Sequence, residues 1–186
     1  RRAYAVTDVA DEAKRALPWA SASDARRQAA EAEFAKVVGP IYPDLVRRLV
    51  LVLGDPEEAQ DVAQDAALRA WRAWDRFDGA NARGWLHTIG LRLAFNRLRS
   101  RRRLLQAIGR IEPRPWDGGA DPDLWQALRS LDPRVRAAVL LQVVDGYTQA
   151  EIAAMLAVPR GTVASWSARG RATLRQLLEA GEGGGG

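Results

Sequence analysis

Three Asp-Pro pairs, Asp55-Pro56, Asp121-Pro122 and Asp132-Pro133, restrict this chain more than any other feature. The first N–H groups of a helix have no partner inside it; an Asp just before it accepts from them, and Pro at the first position has no N–H to leave unpaired. Each pair is followed by apolar residues at helical spacing. Ala59, Val62, Ala63, Ala66, Ala70 and Trp74 follow the first, Leu124, Leu128 and Leu131 the second, and Val135, Val139, Leu140 and Val143 the third. No run alternates apolar and polar residues as a half-buried strand would. The expected fold class is all-α.

Further helix signals fill in the chain. Ser23 and Asp24 can cap a helix over residues 25–38, with Phe34, Val37 and Val38 as its apolar edge, and Gly39-Pro40 breaks it. Leu45, Leu49 and Val52 or Leu53 share one side of a helix over residues 43–53 that Gly54 ends. The helix opened by Asp55 is predicted to run to about Asp75, with Asp61, Gln64, Asp65, Leu68 and Arg72 on or near its outer side, which taken alone reads as solvation. Thr148 and Glu151 form a capping box for a short helix; Ala157-Val158-Pro159 turns the chain, and a last helix over about residues 160–179 puts Val163, Trp166 or Ala168, Leu174 and Leu177 inward. Short helix, tight turn and longer helix make a helix-turn-helix.

Residues 85–103 carry the strongest charge signal. Trp85, Leu86, Ile89, Leu93 and Phe95 or Ala94 anchor one face, and Trp85 reads as core. Beyond it, residues 92–114 hold eight arginines against one acid, Glu112. Guanidinium groups on an anchored helix suit a phosphate backbone, because each neutralised phosphate releases counterions. The bland alternative is a solvated helix end complementing the helix dipole. The whole chain carries +5, and this middle part supplies the excess.

Pro113, Pro115, Gly118 and Gly119 mark a flexible linker at residues 109–120. The expected organisation is a partly helical extension (1–38), a helical domain (39–108), the linker, a helix-turn-helix domain (121–180) and a Gly-rich tail (181–186). The absence of cysteine excludes disulfides, thiolate metal sites and thiol nucleophiles. The lone His87 has no Ser or carboxylate at catalytic spacing, and no glycine-rich phosphate loop occurs, so no catalytic residue, metal or cofactor is expected. The apolar run over residues 45–53 is too short to span a bilayer and no secretory signal is visible, so the expected compartment is the cytoplasm without membrane insertion. A start at Arg1 rather than Met suggests that something preceded it.

Three stretches together resemble the extracytoplasmic-function (ECF) group of bacterial sigma factors. They are Asp61-Val62-Ala63-Gln64-Asp65-Ala66-Ala67-Leu68-Arg69-Ala70-Trp71; Trp85-Leu86 through Leu93-Ala94-Phe95-Asn96-Arg97-Leu98-Arg99; and Leu131-Asp132-Pro133 through Gly146-Tyr147-Thr148-Gln149-Ala150-Glu151-Ile152-Ala153 to Gly161-Thr162-Val163. The resemblance implies a promoter-recognition subunit that binds core RNA polymerase, reads and helps melt promoter DNA, and in some cases is held by an anti-sigma factor. It implies polymerase contacts at Asp61, Gln64, Asp65, Leu68, Arg69 and Arg72. It implies minus-10 contacts at Arg83, Arg92, Asn96, Arg97, Arg99, Arg101, Arg102 and Arg103. For the minus-35 element it points to Arg160, Thr162, Ala164, Ser165, Trp166, Ser167, Arg169 and Arg171.

The chain departs from the family in its last helix. Members usually carry Lys, Ser-Arg and His where this chain has Ala164, Ser165-Trp166 and Ala168. Arg92 and Asn96 also replace the Asn and Asp that are more common in the first domain. These departures leave a second reading open: a sigma-like adaptor that binds polymerase or a regulator without reading a minus-35 element. A third reading, a dimeric helix-turn-helix repressor, leaves the 61–71 helix without a role.

Overall fold

The computed structural model describes residues 18–108 and 122–182, all helices and turns with no strand among them. The expectations for residues 1–17, for the linker at 109–120 and for the end of the tail lie outside the described residues.

Helix α1 (Pro18–Val38) begins earlier than the Ser23-Asp24 cap suggested. Helix α2 (Tyr42–Leu53) ends as expected at Gly54, whose φ of 78° is left-handed and whose N–H donates to the Val50 carbonyl at 2.8 Å. Asp55 accepts from the backbone N–H groups of Glu57 and Glu58 and opens α3 (Pro56–Arg72). That helix stops short of Asp75; the chain tightens into a 3₁₀ turn, Trp74–Arg76, which moves Trp74 out of the inner stripe.

Helix α4 (Ala82–Ile108) starts where Asn81 Oδ1 accepts from the Gly84 N–H at 2.8 Å. Leu45, Leu49, Ala59, Ala63, Ala66, Leu86 and Ala94 form the fully buried centre of this first half. Each buried Leu contributes about 1.5–3 kcal/mol relative to an exposed one. Small residues bring the axes close: a Cβ on Gly90 would come within 2.7 Å of Leu45 Cδ1.

The second half comprises α5 (Pro122–Ser130), α6 (Pro133–Val143), α7 (Gln149–Leu156) and α8 (Arg160–Glu182). Asp132 accepts from the Arg134 N–H, and the capping box is complete: the Glu151 N–H donates to Thr148 Oγ1 and the Thr148 N–H to Glu151 Oε2. The Thr148 N–H and the Thr148 hydroxyl, both donating to Glu151 Oε2, hold that carboxyl below its usual range. Ala157 takes a left-handed φ of 53° in the turn before α8. Gly170 has a packing reason, since its Cβ would meet Val139 Cγ2 at 2.5 Å.

The two halves share a core. Val52 of α2 and Leu91 of α4 sit in one cluster with Leu128, Leu141, Ile152 and Val163. Helix α4 is therefore covered on two sides. This accounts for the full burial of His87 and Leu91, which the single apolar stripe read from the sequence did not include.

Candidate nucleic-acid interface

Helix α3 has two unlike faces. Ala59, Val62, Ala63, Ala66 and Ala70 are buried, whereas Asp61, Gln64, Asp65, Leu68, Arg69 and Arg72 are all exposed. Leu68 is 53% exposed, an apolar side chain ringed by charge. Asp61, Asp65, Arg69 and Arg72 join none of the ion pairs among the described residues. This face contributes nothing to the core and is available to a partner.

The cationic helix is divided in its use. Glu58 of α3 accepts from Arg97 Nε at 3.2 Å and from Arg101 Nη1 at 3.1 Å, which fixes two of the arginines along the helix. Arg99, Arg102 and Arg103 are exposed. Arg92, Asn96 and Arg99 line one wall of a 390 Å³ cleft whose other wall is Arg134, Leu156, Ala157, Val158 and Trp166 from the second half. The Arg134 guanidinium lies 5.9 Å from the centre of the Phe95 ring.

Ahead of α4 lies an aromatic stack. The Trp74 and Phe77 rings are 5.3 Å apart and nearly parallel, and Phe77 stacks on Trp85 at 4.6 Å. Trp85 is half-buried and packs against the core of the first half, beside the loop from residue 77 to 81. With Arg76, Phe77, Asp78, Ala80 and Asn81 it bounds a 330 Å³ hollow. Flat rings beside a cationic helix have the geometry for a base extruded from a duplex, where stacking offsets the lost base stacking.

Arg83 belongs to the charged set but is turned toward the second half. Its Nη2 donates to Asp145 at 3.1 Å and lies 3.6 Å from Asp44. Arg48 Nη2 donates to the same Asp145 oxygen at 2.7 Å. His87 packs edge-on to Tyr147, ring centres 6.2 Å apart. Burial is the main reason its imidazole is held down to about 4; Asp145 opposes this, and Arg83 and Arg48 reinforce it. No local pattern marks this cluster, because its members are far apart along the chain.

In α8, Arg160, Ser165, Arg169 and Arg171 are exposed, and Thr162 and Ala164 are half-buried. Arg171 Nη1 donates to Gln142 at 3.1 Å. Ser167 is a correction: it is fully buried with its Oγ enclosed, so it cannot reach DNA. One position is 100° of helix, which turns Ser167 into the core beside Val163 and Gly170 and leaves Trp166 half-buried over the cleft. Ala168 is exposed, not inward, and Leu177 is 43% exposed.

A helical first module with a cationic helix, joined to a helix-turn-helix, is the architecture of sigma-70 proteins. Residues 38–104 match sigma-70 region 2 and residues 122–174 match sigma-70 region 4. The chain is 30% identical over 158 residues to the ECF RNA polymerase sigma-E factor of Escherichia coli, covering 74% of this chain and 83% of that one. It is 35% identical over 150 residues to the ECF sigma factor SigE of Mycolicibacterium smegmatis, covering 74% of this chain and 58% of that one. The sigma factor RpoE of Bartonella quintana, solved with the anti-sigma factor NepR, superposes with a TM-score of 0.68 at 26% identity, covering 79% of this chain and 97% of that one. The chain belongs to the ECF sigma factor family. It spans little more than half the length of the mycolicibacterial relative.

Proposed function

We propose that this protein is a promoter-recognition subunit that docks on core RNA polymerase through the outer face of α3, holds and melts the minus-10 element with α4 and the 77–81 loop, and places α8 at the minus-35 element. The observation that carries this reading is one continuous layout: an unpartnered charged face on α3, an aromatic stack and hollow at the start of α4, and exposed arginines along its far half. Cations track the backbone of a separated strand while rings receive bases. No helix among the described residues is long and apolar enough to cross a membrane, in keeping with work in the cytoplasm. An anti-sigma factor is a further expected partner, because the Bartonella relative is held by one.

Run-off transcription with purified core polymerase tests the reading. Initiation that depends on this protein and on Asp61, Gln64 and Asp65 supports it. The adaptor reading gains from the buried Ser167 and from Ala164 and Ala168 in the reader helix; it predicts core binding without any initiation.

A further inference from the structure

We infer that the cleft between α4 and the second half is a binding site for a nucleoside triphosphate, its phosphates held among Arg92, Arg99 and Arg134 and its base against the Trp166 ring. The site goes beyond promoter recognition. On that reading of α4, its occupant takes two arginines that a DNA strand also uses.

Three of the positions at which the chain departs from its family meet here. Arg92 and Asn96 on α4 and Trp166 on α8 all line the same 390 Å³ hollow. They come from different halves of the chain, and substitutions made for solubility alone have no reason to converge on one cleft.

The cations around the cleft are unpaired. Arg92, Arg99 and Arg102 of α4 and Arg134 of α6 are exposed, and none joins an ion pair among the described residues. Arg97 and Arg101 on the same helix are held by Glu58. Among the described residues no acid lines the 390 Å³ hollow. An adjoining hollow of 440 Å³ shares Phe95, Arg99 and Arg134 with it and adds Arg102 and one acid, Asp132, whose Oδ1 already accepts from the Arg134 N–H at 2.9 Å. A cleft lined by one sign of charge concentrates the field inside it. Guanidinium forks match the oxygens of phosphate groups. Here they stand on opposed walls, which suits a compact polyanion; the backbone of a single strand needs them along one track.

The remaining surface suits a base. Leu156, Val158 and the half-buried Trp166 make one side apolar, and Asn96 offers an amide that both donates and accepts. The Arg134 guanidinium lies 5.9 Å from the centre of the Phe95 ring, which orients it at the mouth of both hollows. Each volume falls within the range of about 300–1,000 Å³ usual for small-molecule sites.

Titration calorimetry of the full chain with GTP, ATP, inorganic triphosphate and guanosine at physiological ionic strength tests the site. At least one nucleotide should bind about tenfold more tightly than inorganic triphosphate, because a stacked base adds to the anion contacts. Guanosine should bind more weakly than either. Arg134→Gln should weaken nucleotide binding about tenfold or more, the loss of one charge-assisted contact. Trp166→Leu, which keeps apolar bulk without a flat ring, should remove most of the advantage of the nucleotide and leave inorganic triphosphate unchanged. Arg175→Gln, which changes an exposed cation elsewhere on α8, should alter neither. Absence of nucleotide binding in the wild type overturns the site. Equal weakening by Arg175→Gln and Arg134→Gln also overturns it, since net charge alone then accounts for the affinity. Inorganic triphosphate binding as tightly as both nucleotides overturns it too, because no base is then held. Neither polymerase nor DNA is present, so the site stands or falls apart from the promoter reading.

Discussion

Arg136 and Leu51, 85 positions apart, are joined by a hydrogen bond from the guanidinium to the backbone carbonyl. The same guanidinium also donates through Nη2 to the carbonyls of Arg129 at 3.3 Å and Leu131 at 3.2 Å. Burial draws its proton affinity down to about 10, so it stays charged at neutral pH. One side chain thus closes the α5–α6 turn and ties it to the end of α2.

Replacing that side chain tests the tie. Arg136→Ala removes charge-assisted bonds to buried carbonyls and should cost about 3 kcal/mol. Urea unfolding checks this; a loss under about 1 kcal/mol means that water replaces the guanidinium without penalty.

Gly170→Ala should destabilise the chain although Ala is the better helix former by about 1 kcal/mol. The new methyl meets Val139 Cγ2 at 2.5 Å and Val135 Cγ1 at 2.9 Å, both on β-branched side chains that are stiff at χ1. Overpacking of this kind costs about 1–3 kcal/mol, and the thermal midpoint reports the sign. A rise in the midpoint would show that α6 and α8 move apart freely.

The buried imidazole predicts sensitivity to acid. His87 titrates near 6.5 when the chain is unfolded and near 4 in the fold, so the unfolded chain takes up its proton first. Its contribution is fully present above pH 6.5 and is lost as pH falls from 6.5 toward 4, at about 1.4 kcal/mol per pH unit. Between pH 7 and pH 5 this amounts to roughly 2 kcal/mol. Urea midpoints at the two values should differ accordingly in the wild type. The difference should shrink in His87→Gln, and equal slopes for the two proteins would place the pH dependence elsewhere.

Changing Asp61, Gln64 and Asp65 together to Ala should leave stability within about 0.5 kcal/mol per site, because all three are exposed. Core polymerase binding should weaken. Unchanged affinity in a pull-down or by interferometry removes α3 from the docking surface.

Local chemistry was legible in the sequence wherever it acts over a few residues. Asp55, Asp132 and the Thr148–Glu151 box cap the helices they were expected to cap, and the small inner stripe of α3 is buried as the period required. What depends on distant packing was not legible. His87, Arg48 and Arg136 are buried only because the second half lies against α2 and α4, and no periodicity encodes that meeting. Ser167 failed for a related reason: one step of helical rotation turns it into the core. Among candidate site residues, the α3 set and most of the α4 arginines are exposed as their outward spacing suggested, while the commitment of Arg83, Arg97 and Arg101 to Asp145 and Glu58 is a tertiary fact.

The most direct measurement is transcription from a library of promoter fragments by core polymerase with and without the purified chain. Transcripts that start at a shared upstream sequence only when the chain is added, and that vanish with the Asp61, Gln64 and Asp65 triple substitution, are the predicted result. Core polymerase that binds the chain but initiates nowhere in the library would contradict promoter recognition.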